Sequence, residues 1–393
     1  MDYPFSERVS SLAPSAIREI MKYSSVPGFI SLALGSPAPN AFPAREISEI
    51  SAHIFSERPV DALQYSVTEG YTPLREHLAE YMKKKHSIGR DFDNLIITSG
   101  AQQVMELATK TLCNEGDVVI CESPTFIGSL NAFRSYRTKQ VGVEMESDGI
   151  NIEKLEAALK ANPNAKLIYT IPNFQNPTGI TMSLEKRRAV YELAKKYGVL
   201  ILEDNPYGDI RFSGEPLPTI KSMDEDGIVI YAGSFSKVLS PGLRVGFTVA
   251  PAPIVQKMVV CKQVSDVHTQ IWSQMVAHTF MTEYDYEAHL ERIRGVYRDK
   301  SALTDSLLKE HLSGFMEWSS IEGGLFYWLK LPQNVDLQTF CTRAAENKVA
   351  VVPGTAFSVQ NEPMPFVRIN YSAPTDEKLA QAIELLGGVA KTF

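Results

Sequence analysis

From about residue 94 to residue 250 the chain alternates short apolar runs with segments in which apolar positions recur every three or four residues. The short runs are rich in Val, Ile and Leu and are bounded by turn residues. They predict strands at 94–98, 118–122, 166–171, 199–203, 228–233 and 245–250, with a weaker one at 140–144. The longer segments 102–112, 152–160 and 184–197 carry the spacing of helices that bury one face. Strand and helix in alternation predict a mainly parallel sheet wrapped by helices, an α/β fold. One link departs from that rule. Roughly ten residues separate Gly233 from Val245, too few for a parallel crossover, so these two strands are expected to run antiparallel within a mixed sheet. Lys237 lies on this link.

Beyond residue 251 the pattern turns helical, with a long periodic stretch over 269–311. Strand-like runs at 324–329, 350–352 and 366–370 and a terminal helix over 375–390 then predict a smaller α+β unit. The expected organisation is an irregular N-terminal segment, 1–45, packing on the smaller unit, a large domain over 46–285 and a small C-terminal domain over 286–393. A chain of 393 residues exceeds what one core usually holds, which agrees with two domains.

Composition narrows the function. Apolar residues at 44% and charged residues at 22% are those of a soluble folded protein. A net charge of −7 argues against a nucleic-acid surface. No run of about 18 apolar residues and no apolar leader core is present, so neither membrane insertion nor secretion is expected. Cys113, Cys121, Cys261 and Cys341 form no closely spaced pair, which fits a reducing, cytoplasmic setting. The seven histidines make no metal-binding constellation, and no metal is expected.

In open α/β sheets ligands bind beyond the carboxyl ends of strands. Five predicted strand ends lead into small, polar or aromatic residues: Ser99-Gly100-Ala101-Gln102, Ser123-Pro124-Thr125-Phe126, Asn173 to Gly179, Asp204-Asn205-Pro206-Tyr207 and Ser234-Phe235-Ser236-Lys237. The Ser-Gly-Ala turn opens a helix, where free N–H groups either hold a phosphate or are simply capped. Asp204 follows an apolar run, so its carboxylate either meets a cation such as a protonated pyridine nitrogen or caps the next turn. Lys237 sits among few charges and, partly desolvated, would be neutral and nucleophilic. Arg244 offers a planar fork for phosphate oxygens or a structural ion pair.

Together with SLALGSPAPNAFP at 31–43, LQYSVTEGYTPLRE at 63–76, PNFQNPTG at 172–179, EDNPYGDIRF at 203–212, GSFSKVLSPGLRVG at 233–246 and VRINYS at 367–372, these segments resemble the class I/II aminotransferases of fold-type I that depend on pyridoxal 5'-phosphate (PLP). The resemblance spans nearly the whole chain and points to the branch acting on 2-aminoadipate, kynurenine and aromatic or branched-chain amino acids. It implies a seven-stranded mixed sheet and a PLP cofactor. Lys237 would be the Schiff-base lysine, Asp204 the partner of the pyridine nitrogen, and Asn176 and Tyr207 donors to the cofactor's 3'-oxygen. Phe126 would stack on the ring, and Gly100, Ala101, Gln102, Ser234, Ser236 and Arg244 would hold the phosphate. Tyr65 would reach that phosphate from the neighbouring subunit of a homodimer. Arg368 would clamp the substrate's α-carboxylate, Gly35 would let backbone approach the same group, and Arg18 corresponds to a side-chain-recognising arginine or is a surface residue of an N-terminal helix.

The expected reaction moves the amino group of an L-amino acid to a 2-oxo acid, 2-oxoglutarate first among them, by a ping-pong cycle with Lys237 as general acid and base. A β-lyase or decarboxylase would keep the same cofactor and break another bond. Transcription regulators with an aminotransferase-like domain carry a preceding winged-helix domain. Here the resemblance begins within the first forty residues, so none is expected.

Overall fold

The structure is a computed structural model, and residues 3–10, 28–360 and 362–393 are described. Ile30–Ser31 forms a short strand, β1. The central sheet takes β2 (Asp93–Thr98), β3 (Val118–Ser123), β4 (Lys139–Glu146), β5 (Gly149–Ile150), β6 (Ala165–Thr170), β7 (Leu200–Asp204), β8 (Val229–Ser234) and β9 (Gly246–Pro251), in the order β2-β9-β8-β7-β6-β3-β4-β5. Strands β3, β4, β6, β7 and β8 run parallel to their neighbours in that set, whereas β9 is antiparallel to both β8 and β2. The seven expected strands are therefore present, with the short link antiparallel as its length requires. The two-residue β5 adds an eighth, folding back on the end of β4.

Helices form where the apolar spacing placed them, and local capping sets their ends. Asn151 accepts from Lys154 N at the start of Ile152–Ala161, and Ser183 accepts from Lys186 N at the start of Leu184–Tyr197, which ends on left-handed Gly198. The periodic stretch over 269–311 is helical as expected and forms two helices, Ile271–Glu283 and Tyr286–Leu312, with Asp285 capping the second by accepting from Ala288 N. One prediction needs correction. The run at 350–352 is not one strand: β11 (Val349–Ala350) pairs with β1, while β12 (Val352–Pro353) pairs with β13 (Phe366–Asn370), which also pairs with β10 (Phe326–Lys330). Pro353 has no N–H, so a continuing ladder is unavailable to it.

Apolar side chains gather in two clusters on the large sheet, one containing Leu95, Ile97 and Phe247 and the other Ile120, Ile168 and Ile201. A further cluster lies around β10 and β13. The 27-residue helix Tyr286–Leu312 joins them, its Ile293 and Tyr297 in the first cluster and its Leu308 and Leu312 in the last. No helix among the described residues is long and apolar enough to cross a membrane.

Candidate active site

A cavity of about 530 Å³ opens at the carboxyl ends of β2, β3, β6, β7 and β8. Its floor is Asp204, the last residue of β7 and buried. Asp204 Oδ2 accepts from the Tyr169 hydroxyl at 2.8 Å, and that hydroxyl accepts from Ser129 Oγ at 2.8 Å. Oδ1 is buried with no partner. Burial, with the nearby Glu122 charge, pushes the Asp204 carboxyl up to about 7 against the Tyr169 hydrogen bond. A cationic donor at Oδ1 would reverse that shift, so the site lacks one positive group.

Lys237 lies in the turn between β8 and β9, closed by Phe235 N donating to Val245 O at 3.1 Å. The ammonium donates to Gly35 O at 2.6 Å and lines the cavity. Burial, helped by the charges of Arg368 and Arg244, lowers Lys237 to about 8.

Arg368, in the middle of β13, is 1% exposed. Its guanidinium carbon lies 4.2 Å from the centroid of the Phe326 ring and 4.8 Å from that of Phe357. One terminal nitrogen donates to Asn176 Oδ1 at 2.8 Å and the other to Ala33 O at 2.5 Å, while Nε is buried without a partner. No carboxylate among the described residues pairs with it. A buried, unpaired guanidinium in a cavity demands an anion.

The same Asn176 is hydrogen-bonded to the Tyr207 phenol. Phe126, Ala101 and Gln102 form the opposite wall with Ser234, Ser236 and Arg244, although Gln102 Nε2 is turned to Gly128 O at 2.8 Å. Gly100 lies behind that wall at φ +80°, where a Cβ would collide with Arg244 Nη2. At Gly246 a Cβ would meet the Gly100 carbonyl carbon at 2.6 Å, so two chain segments touch at backbone distance. The helix Ala101–Leu112 starts here with no side-chain cap, leaving the N–H groups of Ala101 and Gln102 free for a phosphate, while Gln103 N donates to Gly100 O.

The structure thus brings Lys237, Asp204, Tyr207, Asn176, Phe126, Ala101, Gln102, Ser234, Ser236, Arg244, Arg368 and Gly35 to one cavity. It does not bring Tyr65 there: its side chain is 81% exposed and packs edge-on against His268. Arg18 lies outside the described residues. Sequence reasoning missed Ser129, Tyr169, Phe326 and Phe357, all of which touch the groups above. Tyr169 alone carried a signal, as a phenol inside an otherwise apolar strand.

The pattern of the family aminotransferase class I and II matches residues 44–386. The chain belongs to that family. It is 36% identical to aromatic-amino-acid aminotransferase 1 of Thermococcus litoralis over 397 residues, covering 100% of this chain and 95% of the relative. A solved kynurenine aminotransferase of Pyrococcus horikoshii, in complex with PMP, superposes with TM-score 0.94 at 35% identity over 99% of this chain and 97% of that one. An alpha-aminoadipate aminotransferase of Thermus thermophilus, complexed with N-(5'-phosphopyridoxyl)-L-leucine, does so at 0.91 and 34%, over the same shares. The fold is therefore that of the fold-type I enzymes, the activity is aminotransfer, and the cofactor is PLP. The site fits that cofactor: Asp204 Oδ1 lacks a donor, Lys237 is the one lysine lining the cavity, and uncapped N–H groups stand beside Arg244.

Proposed function

We propose that this aminotransferase uses Lys237 to anchor the cofactor and to move protons, with an L-amino acid donor of the 2-aminoadipate, aromatic or branched-chain type, 2-oxoglutarate as acceptor and a ping-pong order. The observation that carries the reading is Arg368, a buried guanidinium with no counter-ion among the described residues, in the cavity that also holds Lys237 and Asp204. It receives the donor's α-carboxylate, with the Phe326 and Phe357 rings fixing the plane of the fork.

Bound there, PLP supplies a carbonyl carbon for the donor's nitrogen and a protonated ring that withdraws electrons from the donor's α-carbon. Asp204 Oδ1 would accept from the protonated ring nitrogen, and Tyr169 and Ser129 hold Asp204 in place. Asn176 and Tyr207 would donate to the 3'-oxygen. Phe126 would cover the ring, and Gly100, Ala101, Gln102, Ser234, Ser236 and Arg244 would hold the phosphate. Lys237 Nζ, lining the same cavity, would be the base that takes the proton from the substrate's α-carbon and the acid that gives one back. Burial beside Arg368 and Arg244 lowers its pKa and so favours the neutral amine, and Gly35 O is the acceptor that aims it.

Tyr65, exposed and outside its own cavity, serves the neighbouring subunit of a homodimer. Leu63 and Val60, 75% and 70% exposed on the same segment, provide apolar area for that contact. The domains divide at 46–285 and 286–393, with Ile30 and Leu32 of the N-terminal segment packed on the smaller unit, and the compartment is the cytoplasm. A panel of amino donors with 2-oxoglutarate tests the reading. The wild type should form glutamate and Lys237→Ala should not; glutamate formation by Lys237→Ala at the parent rate would refute it.

A further inference from the structure

Behind the helix start that faces the cavity lies a second polar group to which the reaction assigns nothing. Lys262 has a fully buried side chain. Its ammonium reaches both oxygens of Asp266 at 2.8 Å, Gln103 Oε1 at 2.9 Å and Thr269 Oγ1 at 2.9 Å. Asp266 Oδ2 also accepts from Ser99 Oγ and from Gln103 Nε2, each at 2.8 Å. Gln103 Oε1 accepts from Ser99 N at 2.8 Å, and Ser99 O accepts from Arg244 Nη2 at 3.0 Å. Every polar group of Ser99 is therefore held, and Ser99 is the residue before Gly100.

The other end of the group reaches a different segment. Thr269 O accepts from Gln274 Nε2 at 2.8 Å, and Gln274 Oε1 accepts from Tyr71 N at 2.7 Å. Glu69 O accepts from Ile97 N at 2.8 Å. One continuous polar chain thus runs from Arg244 through Ser99 to Tyr71, at the end of the loop 64–71 that carries Tyr65. Apolar residues of similar volume often stabilise a fold as well as a buried ion pair does, so stability alone does not account for this one.

We propose that Lys262 and Asp266 are positioning residues that set the phosphate-binding turn at Ser99-Gly100 and Arg244 and tie it to the Tyr65 loop. The proposal rests on the reading that this turn receives the cofactor's phosphate. Losing Lys262 frees Gln103 and Asp266 to rotate, and Ser99 and Arg244 move with them.

The test is PLP binding to apoprotein, followed by fluorescence quenching, for the parent, Lys262→Met and Asp266→Asn, with the ³¹P resonance of the bound phosphate recorded. Both variants should bind at least about tenfold more weakly and shift the ³¹P resonance, with apoprotein melting close to the parent's. If Lys262→Met does not fold, Asp266→Asn decides alone. Lower melting with unchanged affinity and an unchanged ³¹P resonance would overturn the proposal by making the pair merely structural. Failure of the parent itself to bind PLP would instead overturn the reading of the cavity, and the proposal with it.

Discussion

At the scale of single residues the site is defined by three buried polar groups. Among the described residues no carboxylate pairs with Arg368 and no donor reaches Asp204 Oδ1, and burial holds Lys237 below its ordinary range. Arg368→Lys replaces a stacked fork by a point charge. It should raise KM for the amino donor by about 10- to 100-fold, with a smaller effect on kcat, in steady-state assays. The lysine also makes a prediction about stability. Its folded pKa of about 8 lies below the ordinary 10.5, so folding favours the neutral amine. That contribution is complete above the ordinary value and is lost as pH falls through about 8. Apoprotein carrying Lys237→Met should therefore gain stability over the parent as pH is lowered from 10 to 6, by no more than about 1.4 kcal/mol per pH unit. Urea unfolding at three pH values measures this, and a gain that grows as pH rises would contradict it.

At the scale of elements the turns carry the chemistry and the strands hold them. Glu122, at the penultimate position of β3, is buried and accepts from Thr170, from Ile171 N at 3.1 Å and from Gln175 Nε2 at 3.1 Å. Gln175 Oε1 in turn accepts from Thr178 N at 3.1 Å, so one carboxylate braces the loop that presents Asn176. Glu122→Ala should cost about 1–3 kcal/mol in unfolding free energy through the donors left unpaired. It should also lower the affinity for amino donors, because Asn176 holds Arg368. The contact of Gly246 with Gly100 is equally tight. Gly246→Ala should destabilise by about 1–3 kcal/mol and weaken PLP binding, read by calorimetry and by cofactor titration.

Most of these elements are legible in the apolar pattern because parallel strands buried on both faces leave continuous runs. The strand-end residues follow from the same pattern, and the short link fixes the direction of β9. What the pattern does not carry is contact between segments far apart in sequence. The Phe326 and Phe357 rings on Arg368 and the Ser129–Tyr169–Asp204 relay come from elements that local periodicity cannot align. The split at Val351 has a similar origin, since it depends on which of two neighbouring sheets each dipeptide joins.

At the scale of the whole molecule two apolar bodies share one long helix, and the cavity takes Arg368 and Phe326 from strands of the smaller one. The proposed homodimer rests on Tyr65, which is exposed and does not line its own cavity. Leu63→Asp should convert dimer to monomer in analytical ultracentrifugation and should weaken PLP binding in proportion to the dimer lost. The central claim is that Lys237, Asp204 and Arg368 together move an amino group. The most direct measurement mixes holoenzyme with a single L-amino acid and no oxo acid, in one turnover. The account predicts one equivalent of the matching 2-oxo acid per protomer, with the amino group retained by the enzyme and released only on adding 2-oxoglutarate. Ammonia and pyruvate, or carbon dioxide, appearing in that first turnover without retained nitrogen would contradict it.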